Sequence, residues 1–303
     1  MQLRNKDRNL RIPMAVAAFM LLCTIPIAKA DSITLEPDRD NTLFESLTGS
    51  LSNGVGDYFY SGMNGRFFIR RGLLRFDIDG VLPAGSTVNS VTLQLHCSRS
   101  ISGPLDSTLH RLLSDWGEGA SNSTVMGGGG GAPAEPGDAT WLHTFYDTSF
   151  WPVMGGDFDP TISGVTMVAG FGFYTWDSTP GMVADVQAWL DDPAGNFGWL
   201  VRGDESVSAT AKRFDSREIT ATTNRPQLTI DYTPAFPPGD MNCDGRLDGG
   251  DIDPFFLALG DPAAYLERFP NCDPLNGDMN GDGRLDGGDI DLFFLCLGGG
   301  GCP

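Results

Sequence analysis

Residues 70–95 read RRGLLRFDIDGVLPAGSTVNSVTLQL. Leu74, Phe76 and Ile78 alternate with Arg75 and Asp77. Beyond the turn cluster Pro83-Ala84-Gly85-Ser86, Val91, Leu93, Leu95 and Cys97 alternate with Thr92, Gln94 and His96. A period of two sends successive side chains to opposite faces, so each run predicts a strand with one face in a core. Two such strands about a Pro-Gly turn point to antiparallel β structure. Cys97 continues the apolar face and is expected to be a buried free thiol.

The same alternation closes the segment, where Leu228, Ile230 and Tyr232 are interleaved with Gln227, Thr229 and Asp231. The fold class predicted is therefore mainly β, a jelly-roll-like β-sandwich over residues 31–233, long enough to bury its own core. One helix is expected within it: Ser178 or Thr179 caps it, Pro180 opens it, and Met182, Val183, Val186, Trp189 and Leu190 form its apolar stripe. A loop over 117–138 carries the run Gly127–Gly131, read as too flexible for a core.

This part of the chain resembles DNRLRE-type domains. The resemblance rests on Arg70–Leu95, Trp189, Asn196-Phe197-Gly198-Trp199, Phe214-Asp215-Ser216-Arg217-Glu218 and Arg225-Pro226-Gln227-Leu228. The segment 40–45 (DNTLFE) echoes the family's name motif loosely. The resemblance implies a secreted β-sandwich akin to carbohydrate-binding modules, often without catalysis. It supplies no shared binding residue.

The last quarter states one motif twice: DMNCDGRLDGGD over Asp240–Asp251 and DMNGDGRLDGGD over Asp278–Asp289. Loop positions 1, 3, 5, 9 and 12 are Asp240, Asn242, Asp244, Asp248 and Asp251, then Asp278, Asn280, Asp282, Asp286 and Asp289. Position 7, a backbone carbonyl donor, is Arg246 or Arg284, and the sharp turn at position 6 is Gly245 or Gly283. Hard oxygen donors at this spacing are the signature of a Ca2+ loop, so two calcium sites are expected. Four carboxylates per loop repel one another without a cation, which couples metal binding to folding.

Pro234, Pro237 and Pro238 argue against a helix entering the first loop, and Asn271–Gly277 is no better before the second. A helix leaves each: Ile252, Phe255, Phe256 and Leu259 recur at helical spacing, as do Ile290, Phe293, Phe294 and Leu297. Residues 262–269 supply a linking helix. Loop plus exiting helix, doubled, resembles a dockerin over Gly239 to about Leu297. That likeness implies a small helical domain over 240–303, behind a Pro-rich linker at 234–239, with a cohesin-like scaffold protein as its partner. Positions 10 and 11, which help to contact the cohesin in that family, are Gly249-Gly250 and Gly287-Gly288 and carry no side chain.

The N-terminus has Arg4, Lys6, Arg8 and Arg11, an apolar run from Ile12 to Ile27, then Ala28-Lys29-Ala30, the pattern of a signal peptide over 1–30. A secreted protein, or one held at the cell surface, is expected, with no membrane span after cleavage. The leader holds five basic residues and one acidic one, so removing it takes the formal charge from −19 to −23. Such a field disfavours nucleic acid and anionic membranes and argues mildly against an acidic polysaccharide. Cys243, Cys272, Cys296 and Cys302 sit in the tail and allow three pairings; Cys243–Cys272 and Cys296–Cys302 are preferred because each closes a local loop.

Catalytic motifs are absent from the sequence: His96, His110 and His143 form no HExxH, and there is no GxSxG or P-loop. Asp106, Asp115 and Glu118 near His110 and Trp116 make the most enzyme-like local cluster, and Glu36, Asp38 and Asp40 offer a further calcium site. Sugar rings stack on open aromatic faces, which singles out Tyr58, Tyr60, Trp116, Trp141, Tyr146 and Trp151 in loop-like sequence. Three functions follow. The leading one is a non-catalytic polysaccharide-associated protein with a binding module and a calcium-dependent docking module. The alternatives are an extracellular polysaccharide lyase or glycoside hydrolase, and a structural surface or matrix protein.

Overall fold

Strand Thr87–Ser100 is the longest element among the described residues, and its alternating residues Val91, Leu93, Leu95 and Cys97 are all fully buried. It belongs to a computed structural model that describes residues 30–83, 85–270 and 272–299. The expected leader, Ala30 excepted, lies outside the described residues, as does Cys302.

Eleven strands make one antiparallel sheet: β1 (Asp31–Leu35), β2 (Arg39–Phe44), β3 (Tyr58–Met63), β4 (Ile69–Arg75), β5 (Thr87–Ser100), β6 (Leu105–Arg111), β7 (Gly164–Val168), β8 (Gly172–Trp176), β9 (Trp199–Arg202), β10 (Lys212–Asp215) and β11 (Gln227–Thr233). Their order is β1-β11-β5-β10-β3-β4-β9-β6-β7, with β8 also paired to β5 and β2 to β4. The sheet curls into a half-barrel. Strand β3 joins its two halves, pairing through Tyr58–Ser61 with β10 and through Gly62 and Met63 with β4. Gly62 sits at this switch with φ +95°, a conformation costly for any residue with a Cβ.

The alternating residues of both halves share one core. Phe59, Leu74, Val91, Leu93, Leu95, Leu109, Val201, Phe214, Leu228 and Ile230 pack with Trp176 and Trp199. Helix α1 (Pro180–Asp191) closes it with Met182, Val186 and Trp189; the Thr179 hydroxyl caps the helix by accepting from the Met182 amide. Burying a large apolar side chain contributes roughly 1.5–3 kcal/mol, so this cluster outweighs any single polar contact in the sheet. Phe76 and Ile78 are core residues too, though β4 ends before them at Arg75.

A second cluster lies on the far side of β2, β4 and β9: Leu43, Leu73 and Leu200 pack under Trp116, Trp141 and Trp151. The tail has a third: α2 (Ile252–Gly260), α3 (Pro262–Arg268) and α4 (Ile290–Leu297) bury Met241, Phe255, Ala258, Tyr265, Met279 and Phe293. Phe255 and Phe293, equivalent positions of the two copies, stack at 4.2 Å between ring centroids. Their neighbours Phe256 and Phe294 belonged to the expected apolar stripe, yet they are 45% and 42% exposed. Adjacent helical residues point about 100° apart, and here Phe255 and Phe293 take the core while their neighbours turn toward solvent. No helix among the described residues is long and apolar enough to cross a membrane.

Candidate functional site

The two acidic loops fold alike because the same side chains bind the same backbone amides. Asp251 accepts from the amides of Met241 at 2.8 Å, Asn242 at 3.0 Å and Asp248 at 2.8 Å. Asp289 repeats this with Met279 at 2.9 Å, Asn280 at 3.1 Å and Asp286 at 2.8 Å. Asp240 and Asp278 accept from Gly245 and Gly283 at 2.8 and 2.7 Å, and those glycines turn the chain at φ +87° and +83°. Asn242, Asp244 and Asp248 each accept from an amide two residues on, as do Asn280, Asp282 and Asp286. In both copies the side chains at loop positions 1, 3, 5, 9 and 12 thus bond to loop amides, while Asp244, Asp248, Asn280, Asp282 and Asp286 remain exposed.

Asp240, Asp251 and Asp289 are fully buried, and no loop carboxylate forms an ion pair with a basic side chain among the described residues. Burial, with Asp251 and Asp244 adding repulsion, pushes the Asp240 carboxyl up to about 6. The donor set is hard oxygen throughout, the chemistry a calcium ion takes. Asp240, Asn242, Asp244, the Arg246 carbonyl, Asp248 and Asp251 would hold one ion, and their counterparts Asp278, Asn280, Asp282, Arg284, Asp286 and Asp289 the other. In the arrangement present, no group of three or more His, Cys, Asp or Glu among the described residues is gathered tightly enough to hold a metal.

Cys243 pairs with Cys272, Cα atoms 5.8 Å apart, and ties the first loop to the segment before the second. Cys296 is also disulfide-bonded; its expected partner Cys302 lies outside the described residues. Cys97 is free and buried, its thiol pushed up by burial.

The aromatic residues divide. Trp116, Trp141 and Trp151 are at most 9% exposed, core residues of the second cluster rather than open platforms. Loop sequence hid this, because an indole can be buried where its N–H finds a carbonyl: Trp116 donates to Phe197 at 2.9 Å and Trp151 to Thr140 at 2.8 Å. Arg39 covers the Trp116 ring at 4.9 Å and Arg71 the Trp141 ring at 5.1 Å. Tyr58 and Tyr146 are half-buried. Tyr60 lines a groove and donates to the Gly127 carbonyl at 2.5 Å, so the glycine run folds down on it rather than hanging free.

The enzyme-like cluster separates. Asp115 pairs with Arg39, and Glu118 with Arg217, at 2.7 and 2.6 Å. Asp106 and His110 border another cleft, where both His110 ring nitrogens are engaged, by Thr108 and by the Asp159 carbonyl. Burial lowers the His110 pKa, favouring the neutral ring. Glu36, Asp38 and Asp40 do not converge either: Glu36 pairs with Arg225, Asp38 with Arg75, and Asp40 accepts from the Arg217 amide. Segment 40–45 is tied down through Asn41. The Asn41 side chain accepts from Thr42, Ser52 and Asn53 and donates to the Glu118 carbonyl. No model of a known protein family matches the chain, and no curated protein matches it.

Proposed function

We propose that the chain is a secreted, non-catalytic, polysaccharide-associated protein, with a β-sandwich of jelly-roll type that binds glycan and a dockerin-like tail that docks when calcium-loaded. The observation that carries the reading is the tail's internal duplication in three dimensions. Two loops with matching side-chain-to-amide networks feed two helices, which stack Phe255 on Phe293 and leave Phe256 and Phe294 exposed, 6.3 Å apart. Adjacent exposed rings, one from each copy, offer a partner an apolar foothold. They compensate for the glycines at loop positions 10 and 11, and a cohesin-like scaffold is the partner in this reading. Bound calcium would supply the positive charge that the buried carboxylates lack.

The test is calcium titration into the whole chain by calorimetry, with circular dichroism and melting in parallel. Two uptake events and a gain in tail stability are expected. Millimolar calcium that yields neither heat nor stabilisation refutes the docking half. A protein that no polysaccharide in a broad panel retains refutes the binding half.

A further inference from the structure

Strands β3, β4, β5 and β10 border a groove of about 820 Å³. Four arginines enter it: Arg66 from the turn after β3, Arg70 from β4, Arg99 from β5 and Arg213 from β10. The chain has only 20 basic residues and a formal charge of −19, yet here four cations face one acid, Glu45. None of the four forms an ion pair among the described residues.

The register sharpens the anomaly. Arg213 lies opposite Tyr60 on one side and Arg99 on the other, so the three form one cross-strand row. Like charges directly opposite each other oppose strand pairing. Arg213 is held by the Tyr58 ring at 3.8 Å and by the Ser98 hydroxyl at 3.0 Å, with no carboxylate to balance it. Arg70, 6% exposed at the groove's base, lies over Phe44 at 4.8 Å, and its Nε has no hydrogen-bond partner. Beside these cations, Leu47 is fully exposed, and Phe68 and Ile101 are 46% and 47% exposed. Unpaired guanidinium groups beside open apolar faces suit a ligand that is anionic on one edge and apolar on another.

We propose that this groove binds an acidic glycan, its carboxylate or sulfate groups held by Arg99 and Arg213 and its ring faces laid against Phe68 and Leu47. The assignment rests on the glycan-binding reading and deepens it, reversing locally what the overall charge argues. The test measures affinity of the whole chain, with calcium present, for a polyuronate, a sulfated galactan, a neutral glucan and polyglutamate. Binding to one or both acidic glycans is expected, weakening as salt rises. R99Q should lower that affinity about tenfold and R99Q/R213Q about a hundredfold, as lost charge-assisted hydrogen bonds do. The melting point of R99Q should stay at or above the parent's, because the opposed like charge has gone. Neutral glucan bound with unchanged affinity by R99Q/R213Q overturns this proposal and leaves the glycan reading standing. Polyglutamate bound as tightly as the acidic glycans overturns the glycan assignment. Failure to bind any of the four polymers overturns both.

Discussion

Replacing Asp251 with Ala should strip the metal-free tail of most of the stability its core supplies. The carboxylate is fully buried and accepts three backbone amides, one of them wholly inside. A hydrogen bond to a charged group contributes about 1.5–3 kcal/mol, less where water reaches it. Taking about 2 kcal/mol for the Met241 amide and about 1 each for those of Asn242 and Asp248 gives about 4 kcal/mol for Asp251→Ala. A core the size of this tail rarely supplies more than about 3–5 kcal/mol, so the loss consumes nearly all of it. Asp251→Asn should fall between, because its one carbonyl oxygen can still serve the Met241 and Asn242 amides while its NH2 opposes that of Asp248. Hydrogen exchange with calcium chelated reads those three amides directly. Protection in Asp251→Ala within tenfold of the parent refutes the argument, since the amides would then have other partners.

Reducing Cys243–Cys272, which spans 29 positions, should destabilise the tail by about 3.5 kcal/mol on chain-entropy grounds; an unchanged tail denaturation midpoint in reductant counts against it. Trp116→Ala should cost about 3–5 kcal/mol of β-body stability, because the residue is fully buried. Glycan retention by the folded fraction should be unaffected, and lost retention at unchanged stability would return Trp116 to the binding surface. Burial, followed by the nearby Glu118, holds the Glu218 carboxyl up at about 7 against an ordinary 4.5. The folded protein therefore keeps a proton that the unfolded chain releases, and its stability should fall as pH rises from about 4.5 through 7. Glu218→Gln, which mimics the protonated acid, should flatten that fall in thermal melts at pH 4.5 and 7.5. A stability that rises with pH equally in both proteins contradicts the assignment.

What sequence reading reached, and what it missed, follows from the range of each signal. Leu93, Leu95, Leu228 and Ile230 were legible because period-two alternation is a local consequence of strand geometry. Helix α1 was legible for a similar reason, since its capping threonine, opening proline and apolar stripe all fall within a few turns. The two tail loops were legible as a repeated twelve-residue motif, and the two copies do fold with the same side-chain-to-amide bonds. Trp116, Trp141 and Trp151 were misread because irregular backbone has no periodicity, and burial there depends on carbonyls far away in the chain, such as that of Phe197. The arginine groove was invisible for a stronger reason. Arg66 and Arg70 are close in sequence, but Arg99 and Arg213 join them only through the pairing of β10 with β3 and β5, which no sequence window contains. The exposed aromatic face the groove offers, Phe68, sits in a turn with no stripe to mark it.

Strand β11 lies between β1 and β5, pairing Leu228 with Leu35 on one side and with Leu93 on the other. A ribosome delivers residues 31–35 nearly two hundred residues before the strand that must receive them. Until residue 233 emerges, β1 has no partner and β5 keeps a long open edge, so the half-finished sheet is exposed to pairing with other chains. A nascent chain of this topology needs a holdase or a polar flank during synthesis. A truncation before residue 227 should therefore yield aggregates rather than a smaller soluble sheet.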